Sequence, residues 1–285
     1  AIRDVYKRQG IACARLGGMD RTFIADPNDP RLDDIRDLNK SDKSGEGLVI
    51  AEGHLVVSRL VESPFPVRCL VGFPQKIDQY VETYGEPGCP VYEVERDTLA
   101  QVAGFDMHRG LVAAADRALL PAVGDVVDKA RTVVVLEGVG DHENIGSIFR
   151  NAAGLGVDAV LLGSGAADPL YRRSVRVSMG HVLRLPFARF EGGYTTWQRS
   201  LDVLRDADFR LVSLTPGGDT HIADAVAGAE KVALLVGAEG PGLTEHAMRA
   251  TDVRASIPMA QHTDSLNVAT AAAVAFYERQ RSLRD

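Results

Sequence analysis

The sequence predicts an α/β protein in which a domain built on a mostly parallel sheet is preceded by a smaller α/β domain. From about Gly47 onward, short apolar runs typical of strands alternate with helix-like segments, which is the pattern of layered α/β domains. Thr132–Leu136 is an unbroken run rich in β-branched residues, as in strands buried on both faces. Three polar loops that contain glycine follow such runs, and α/β proteins bind ligands at the strand ends of a parallel sheet.

The first 46 residues are expected to form an arm or linker. Asp26–Pro30 is a cluster of turn residues, and Asp33–Glu46 is mostly charged and polar. The sequence begins without Met, so we expect either a fragment or a non-native leader. Residues 47–117 are expected to form the smaller domain. Its predicted helices lie near 52–61, 75–84 and 96–102, and its predicted strands lie at 67–71, 91–94 and 110–115.

Leu120-Pro121 marks the end of this domain. Residues 118–130 are therefore expected to form a linker and an entry helix, and residues 131–285 the second domain. Its predicted strands are 132–136, 159–162, 210–214, 232–236 and 253–257, and its predicted helices are 145–155, 197–206, 244–249 and 266–281. The last of these helices is rich in Ala and ends with Arg, which favours a helix by propensity and by its dipole.

The net charge of the chain argues against a general affinity for nucleic acid. The 285 residues include 32 Lys and Arg against 39 Asp and Glu, a formal charge of −7. The charge is unevenly distributed, however, because residues 169–190 contain five arginines and no acidic residue. This segment is either a solvated helix face or a local phosphate-binding surface.

Several classes of protein are disfavoured by the composition. The three cysteines are widely spaced with no C-x-x-C pair, so neither a disulfide framework nor a thiolate zinc site is expected, and a reducing cytoplasm fits best. The seven histidines show no ligand spacing, which predicts no metal. No apolar run approaches the roughly 20 residues that a membrane-spanning helix needs.

The first of the three loops, Glu143–Ala153, follows the strand 132–136. Asn144 stands where a helix N-cap is expected, and Arg150 is a polar residue in an otherwise apolar helix. The segment is either a capped helix with a surface arginine or part of a site. Gly138-Val-Gly140 begins a dinucleotide-binding fingerprint, but Glu143 stands where the third glycine belongs.

The other two loops have the same character. Glu239 lies among three glycines in Leu235–Thr244, where it is either a helix-start residue or an active-site carboxylate. In Ile257–Ala269, Ser265 is placed to cap the last helix. Capping explains Asn267 less well, because this polar residue then falls in the first turn of that helix, where an apolar residue is expected.

Taken together, in this order and spacing, the three loops resemble the signature motifs of the SpoU (TrmH-type) RNA ribose 2′-O-methyltransferases of the SPOUT class. Residues 47–117 are similar, more weakly, to a ribosomal-protein-like RNA-binding domain at Glu52-Gly53 and His108–Gly110. One departure is Gln261, which stands where the family usually has glycine. The matching motif residues are Asn144, Gly146, Arg150 and Ala152, then Gly237, Glu239, Gly240 and Gly242, then Ile257, Pro258, Met259 and Ser265–Val268.

The resemblance implies a parallel-sheet domain with a C-terminal trefoil knot, a homodimer formed through the knotted domains, and S-adenosylmethionine as cofactor. The implied catalytic residues are Asn144, Arg150, Glu239, Ser265 and Asn267. The implied cofactor-binding residues are Leu214, Thr215, Pro216, Gly217, Val236, Gly237, Glu239, Gly240, Gly242, Ile257, Pro258, Met259 and Leu266. The implied RNA-binding residues are Arg109, Arg172, Arg173 and Arg176.

The resemblance also implies a function, methylation of a ribose 2′-hydroxyl in structured RNA, with ribosomal RNA favoured over tRNA because of the front domain. Arg150 matches the family's catalytic arginine. Because a guanidinium stays protonated in proteins, we expect Arg150 to bind a phosphate and stabilise the developing oxyanion rather than to take the proton. Two other interpretations stay open: a non-catalytic RNA-binding protein that keeps the fold, and a nucleotide-binding oxidoreductase.

Overall fold

A computed structural model describes residues 21–40, 43–261, 263 and 265–284. It divides into two compact units. The first unit comprises the chain up to Leu119 together with Pro169–Arg184, and the second comprises Leu120–Asp168 together with Leu185–Asp285. Among the described residues, no helix is long and apolar enough to cross a membrane.

Strands and helices alternate through both units, as predicted. The strands are β1 (Arg21–Phe23), β2 (Leu48–Glu52), β3 (Val67–Gly72), β4 (Val91–Glu93), β5 (Leu111–Asp116), β6 (Thr132–Glu137), β7 (Ala159–Leu162), β8 (Phe187–Arg189), β9 (Phe209–Leu214), β10 (Thr220–His221), β11 (Lys231–Gly237) and β12 (Val253–Ser256). The α-helices are α1 (His54–Val61), α2 (Pro74–Tyr84), α3 (Arg96–Ala103), α4 (Val123–Val127), α5 (His142–Gly154), α6 (Arg172–Val177), α7 (Asp202–Asp206), α8 (Ile222–Val226), α9 (Glu245–Arg249) and α10 (Val268–Ser282).

The first unit is built on a mixed five-stranded sheet in the order β1-β4-β3-β5-β2. β5 pairs antiparallel with both β2 and β3, whereas β4 pairs parallel with β1 and β3. Every residue of β2 is buried. The sequence predicts a helix from about Glu52 and no strand before it, because a strand buried on both faces lacks the alternation of apolar and polar residues that identifies a half-buried one.

Residues 21–40 do not form the expected arm or linker. Residues 1–20, to which the same expectation applies, lie outside the described part of the chain. β1 adds a parallel strand to the sheet through β4, and a 3-10 helix follows at Pro30–Ile35. Leu32 and Ile35 are fully buried in the same core as Val71. Only Leu32 and Ile35 of this short helix are buried, and most of its other residues are charged. The segment therefore has the composition of a solvated linker.

Residues 169–184, predicted as part of the second domain, group instead with the first unit. Val175 of α6 is buried, and the guanidinium of Arg59 donates a hydrogen bond to the carbonyl of Met179 at 2.6 Å. The guanidinium of Arg172 pairs with the carboxylate of Glu52 at the end of β2. These contacts join distant parts of the sequence, so a boundary placed by local composition cannot anticipate them.

The predicted parallel sheet of the second domain is confirmed. Seven strands pair in the order β10-β12-β9-β11-β6-β7-β8, and every pairing is parallel. In β11, Leu235 lies beside Val135 of β6 on one side and Ser213 of β9 on the other. Because all the strands run the same way, the loops after β6, β9, β11 and β12 leave the sheet at one edge.

The last helix, α10, packs against α5 and is fixed at its far end by a buried arginine. The guanidinium of Arg279, which is 1% exposed, donates to the carbonyls of Ala229 at 2.8 Å and Glu230 at 2.7 Å and to the hydroxyl of Thr132 at 3.1 Å. Burial lowers the pKa of this guanidinium below its usual range. Arg279 therefore ties the C-terminal helix to the start of β6 and to the loop before β11.

Candidate active site

A cavity of about 420 Å³ opens at the sheet edge where the loops after β9, β11 and β12 leave. It contains every predicted cofactor-binding residue except Gly217 and Pro258, together with Ser265 and Asn267 from the predicted catalytic set. The residues that line it are Leu214, Thr215, Pro216, Val236, Gly237, Ala238, Glu239, Gly240, Gly242, Ile257, Met259, Ser265, Leu266, Asn267, Val268 and Ala271. The cavity therefore unites the second and third polar loops of the sequence.

The loop after β11 turns tightly against its own backbone. A Cβ atom on Gly237 would lie 2.2 Å from the carbonyl carbon of Gly242, so no side chain fits there. Gly242 donates its backbone N–H to the carbonyl of Ala238 at 2.9 Å, and Gly240 has a φ of +87°, in the left-handed region that glycine tolerates. This turn holds Glu239, which is exposed, at the edge of the cavity.

A buried carboxylate anchors the far end of the same loop. Glu137, the last residue of β6, is 2% exposed, and its Oε2 accepts the backbone N–H of Thr244 at 2.8 Å. Its Oε1 accepts from the hydroxyl of Thr244 at 2.9 Å and from the indole N–H of Trp197 at 2.9 Å. Glu137 is not among the residues predicted from the sequence, where its local signal is a carboxylate at the end of an apolar run.

The side chain of Asn267 joins all three polar loops. Its Oδ1 accepts backbone N–H groups from Ala269 at 3.0 Å and Thr270 at 3.1 Å, which caps α10. Its Nδ2 donates to Oδ1 of Asn144 at 2.8 Å and to Oε1 of Glu239 at 2.5 Å. One amide therefore uses both of its donors and its acceptor, and it fixes two other candidate catalytic residues against the start of α10.

Both N-cap expectations for these helices are wrong by a few residues. The cap of α5 is Asp141, whose carboxylate accepts from the backbone N–H groups of Glu143 at 2.7 Å and Asn144 at 3.0 Å. The cap of α10 is Asn267 rather than Ser265. Asp and Asn cap as well as Ser, so composition alone cannot choose between neighbours. The consequence is that Asn144 lies inside the first turn of α5, with its side chain available to Asn267.

Arg150 lies further along α5 and is exposed. Six residues separate it from Asn144, which corresponds to roughly 9 Å along the helix axis. Within the described part of the chain, its guanidinium makes no hydrogen bond, and the carboxylate of Glu239 bonds to Asn267 rather than to Arg150. The structure thus brings Asn144, Glu239 and Asn267 into contact and leaves Arg150 exposed, without a hydrogen bond to any described residue.

The arginines predicted to bind RNA lie in the first unit and differ in their surroundings. Arg109 donates to the carbonyl of Glu52 at 3.1 Å. Arg172 pairs with the carboxylate of Glu52 and lies over the ring of Phe105, 5.0 Å from its centre, with only 18% of its side chain exposed. Arg173 and Arg176 are exposed.

Among residues 21–40, 43–261, 263 and 265–284, no group of three or more His, Cys, Asp or Glu side chains comes together. The side chains that the structure brings together in the candidate site are the amides of Asn144 and Asn267 and the carboxylate of Glu239. His262, which neighbours Gln261, lies outside the described residues. Gln261 itself is exposed.

Comparison with known proteins gives one family. The model of the SpoU rRNA methylase family matches residues 131–277. A Mycobacterium tuberculosis protein named as an uncharacterized tRNA/rRNA methyltransferase is 53% identical over 282 residues, 96% of each chain. A Mycolicibacterium vanbaalenii protein named in the same way is 31% identical over 218 residues, 74% of this chain and 67% of the relative.

Solved structures give the same result for the fold. The AdoMet-bound rRNA methyltransferase from Sinorhizobium meliloti is 25% identical, with a TM-score of 0.78 over 92% of this chain and 98% of that chain. The SpoU methyltransferase AviRb from Streptomyces viridochromogenes, in complex with AdoMet, is 25% identical, with a TM-score of 0.75 over 90% of this chain and 99% of that chain.

Proposed function

The chain belongs to the SpoU family of RNA methylases and uses S-adenosylmethionine as methyl donor, and we propose that it methylates a ribose 2′-hydroxyl in structured RNA. The observation that supports this most is the amide of Asn267, which holds Asn144 and Glu239 together beside the large cavity. A ribose presents hydroxyls that both donate and accept, and this cluster of amide and carboxylate groups matches that chemistry.

The residues of the cavity suit the cofactor. Apolar side chains such as Leu214, Ile257 and Leu266 offer surface to an adenine ring, and Gly237 and Gly240, which also line the cavity, let the backbone come close to a bound ligand. We assign cofactor binding to the thirteen residues named from the sequence. When bound, S-adenosylmethionine supplies an electrophilic methyl group on a sulfonium.

The protein's part of the reaction is orientation and electrostatics. The 2′-oxygen must approach the methyl carbon in line, so the ribose has to be fixed relative to the cavity. Asn267 engages Oε1 of Glu239, which leaves Oε2 of that carboxylate to accept a hydrogen bond from a ribose hydroxyl. Arg150 binds the adjacent phosphate and stabilises the negative charge that develops on the 2′-oxygen as the hydroxyl proton passes to solvent; S-adenosylhomocysteine would leave as the bond between carbon and sulfur breaks. Asn144 and Ser265 complete the hydrogen-bonding groups around the ribose.

The same proposal covers the assembly and the location of the enzyme. The family resemblance supports a homodimer formed through the second domain, with a trefoil knot in the C-terminal segment, acting in the cytoplasm. Light scattering coupled to size exclusion tests the dimer, because a monomer of 30.6 kDa and its dimer differ twofold in mass.

A binding titration separates this proposal from its alternatives. Calorimetry of the full chain with S-adenosylmethionine, NADPH and ATP should give binding of the first alone. A protein that binds RNA but none of the three would instead be a non-catalytic RNA-binding protein that retains the fold. Binding of NADPH would favour an oxidoreductase.

The target is proposed to be ribosomal RNA rather than tRNA, because the first unit resembles a ribosomal-protein-like domain. Mapping ribose methylation across the total RNA of cells with and without the gene tests this directly. We expect a single ribosomal position to lose its methyl group. Loss at a tRNA position would contradict the preference while leaving the reaction type intact.

A further inference from the structure

The loop that follows β8 leaves the parallel sheet at the same edge as the loops of the candidate site. β8 lies beside β7, and β7 lies beside β6, which ends at Glu137. These three strands run in the same direction, so residues 190–196 lie at the carboxyl edge of the sheet. None of these seven residues lines the large cavity, and none is among the site residues predicted from the sequence.

The backbone of this loop is fixed by its own hydrogen bonds. Gly193 donates its backbone N–H to the hydroxyl of Thr196 at 2.9 Å, and its carbonyl accepts the backbone N–H groups of Thr196 and Trp197, each at 3.0 Å. A Cβ atom on Gly192 would lie 2.9 Å from the backbone nitrogen of Trp197, so this turn admits no side chain. The loop therefore presents its remaining side chains from a preorganised backbone, which lowers the ordering cost of binding a ligand.

A buried carboxylate connects this loop to the loop after β11. The side-chain amide of Gln198, which is 7% exposed, donates to the carbonyl of Tyr194 at 3.1 Å and to Oε1 of Glu137 at 3.2 Å. The same Oε1 accepts from the indole N–H of Trp197 and from the hydroxyl of Thr244. Because Thr244 ends the loop that lines the large cavity, a continuous chain of hydrogen bonds holds the backbone of Tyr194 in place relative to that loop.

The side chain of Tyr194 points away from this network and is 63% exposed. Within the described part of the chain, its hydroxyl makes no hydrogen bond and its ring contacts no other aromatic ring. A large aromatic ring stabilises a fold mainly through burial, so the fold gains little from this one. Arg199, five residues on, is also exposed, and its guanidinium bonds to no described residue. An exposed ring on a fixed backbone, with a cation in the same segment, suits a flat apolar group attached to an anion.

We propose that the ring of Tyr194 stacks on a base of the RNA substrate, beside the ribose that is methylated. The inference rests on the proposed function, since it assigns a contact to the RNA that the enzyme methylates. In-line approach of a 2′-oxygen requires its nucleotide to be held in one orientation, and a nucleotide drawn out of a helix loses its stacking neighbours. Tyr194 replaces one of those neighbours, and such stacking contributes about 1–3 kcal/mol per base.

Three substitutions of Tyr194 isolate the contribution of the ring. Tyr194→Phe keeps the ring, Tyr194→Leu keeps an apolar side chain without a ring, and Tyr194→Ala removes both. Protein-free total RNA from cells lacking the gene is methylated under single-turnover conditions, and the protein concentration that half-saturates the rate is measured. It should be unchanged in Tyr194→Phe, which is the matched control, and about 5- to 150-fold higher in Tyr194→Leu and Tyr194→Ala.

The salt dependence separates stacking from a phosphate contact. A stacked base releases no counterions, so the slope of log half-saturating concentration against log salt should be the same in all four proteins between about 50 and 200 mM KCl. A smaller slope in Tyr194→Leu and Tyr194→Ala would show a contact with phosphate and would overturn the inference. The calorimetric affinity for S-adenosylmethionine should also be the same in all four proteins.

The remaining outcomes each decide the inference. Half-saturation of Tyr194→Ala at the wild-type concentration overturns it and leaves the proposed function standing. A loss in Tyr194→Phe as large as in Tyr194→Ala would assign the contact to the hydroxyl and overturn stacking. A wild-type protein that transfers no methyl group to RNA overturns both the inference and the proposed function.

Two further measurements test other occupants of this surface. Light scattering that shows a dimeric wild type and a monomeric Tyr194→Ala would place the ring between two copies of the chain. Slower transfer by Tyr194→Ala to intact ribosomal subunits, with unchanged transfer to protein-free RNA, would place a protein against the ring. Either result overturns the assignment to an RNA base.

Discussion

Glu137 and Thr244 are joined by two hydrogen bonds although 107 positions separate them in the sequence. The backbone N–H and the hydroxyl of Thr244 both donate to the buried carboxylate, at 2.8 Å and 2.9 Å. This pair fixes the end of the loop that begins at Gly237 and forms a wall of the large cavity. The position of this wall therefore depends on Glu137, a residue that does not itself line the cavity.

Glu137→Gln should weaken cofactor binding and lower stability. Thr244 and Trp197 both donate hydrogen bonds to the carboxylate of Glu137. The NH2 group of Gln cannot accept, so one of these donors is left without an acceptor in a buried site, at a cost of about 1–3 kcal/mol. We expect a lower midpoint of urea unfolding and at least tenfold weaker binding of S-adenosylmethionine by calorimetry. Glu191→Gln, at an exposed position, is the control. Unchanged cofactor affinity in a destabilised Glu137→Gln protein would contradict the role of this carboxylate in the loop.

Two substitutions of Asn267 separate its capping role from its role in the site. Asp caps a helix as well as Asn does, so Asn267→Asp should keep the stability of α10, whereas Asn267→Ala should lose about 1 kcal/mol. Both remove the donor that joins Asn144 and Glu239, and Asp adds a second carboxylate beside Glu239. Methyl transfer under single-turnover conditions should fall about 100-fold or more in both. An active, stable Asn267→Asp enzyme would contradict the arrangement.

Arg150→Lys and Arg150→Ala test the proposed contact with RNA. Because the guanidinium is exposed and bonds to no described residue, neither change should move the thermal midpoint or the affinity for S-adenosylmethionine. Lys keeps the charge but cannot make the two parallel hydrogen bonds of a guanidinium. The rate of methyl transfer should therefore fall about 100- to 1000-fold in both variants, with the lower rate in Arg150→Ala. Near-wild-type transfer by Arg150→Ala, with cofactor binding intact, would remove Arg150 from the mechanism.

Arg279→Met should lower the stability of the second unit although Arg279 does not line the candidate active site. Met fills similar space, but the carbonyls of Ala229 and Glu230 and the hydroxyl of buried Thr132 lose the donor that the buried guanidinium supplies. We expect a loss of about 2–4 kcal/mol in the free energy of unfolding, measured by urea titration. Arg281→Met, which removes a surface arginine from the same helix, should change stability little. Equal stability of the two variants would show that Arg279 is not the anchor of α10.

The sequence is sufficient for the central strands of the second unit, because β6, β7, β9 and β11 are apolar runs, whereas β8 and β10, of three and two residues, are too short to give a pattern. The motif positions Asn144, Glu239 and Asn267 do meet. What the sequence could not show depends on contacts between distant segments. In sequence, Glu137 is an ordinary carboxylate at a strand end, and its role depends on a hydrogen bond with the distant Thr244. Leu32 is buried in the core, but the charged residues beside it in sequence give no sign of this. The caps were misplaced because several residues of equal capping ability stand side by side.

The central claim is the identity of the methylated atom, and one measurement tests it directly. Ribosomal RNA from cells lacking the gene is incubated with the purified protein and S-adenosylmethionine labelled with deuterium in its methyl group. The RNA is then digested to nucleosides and analysed by mass spectrometry. We predict that the label appears in a 2′-O-methylated nucleoside, recognised by a fragment in which the ribose carries the extra mass, and that Arg150→Ala incorporates it about 100-fold or more slowly. Label on a base, with an unmodified ribose fragment, would contradict the proposed reaction.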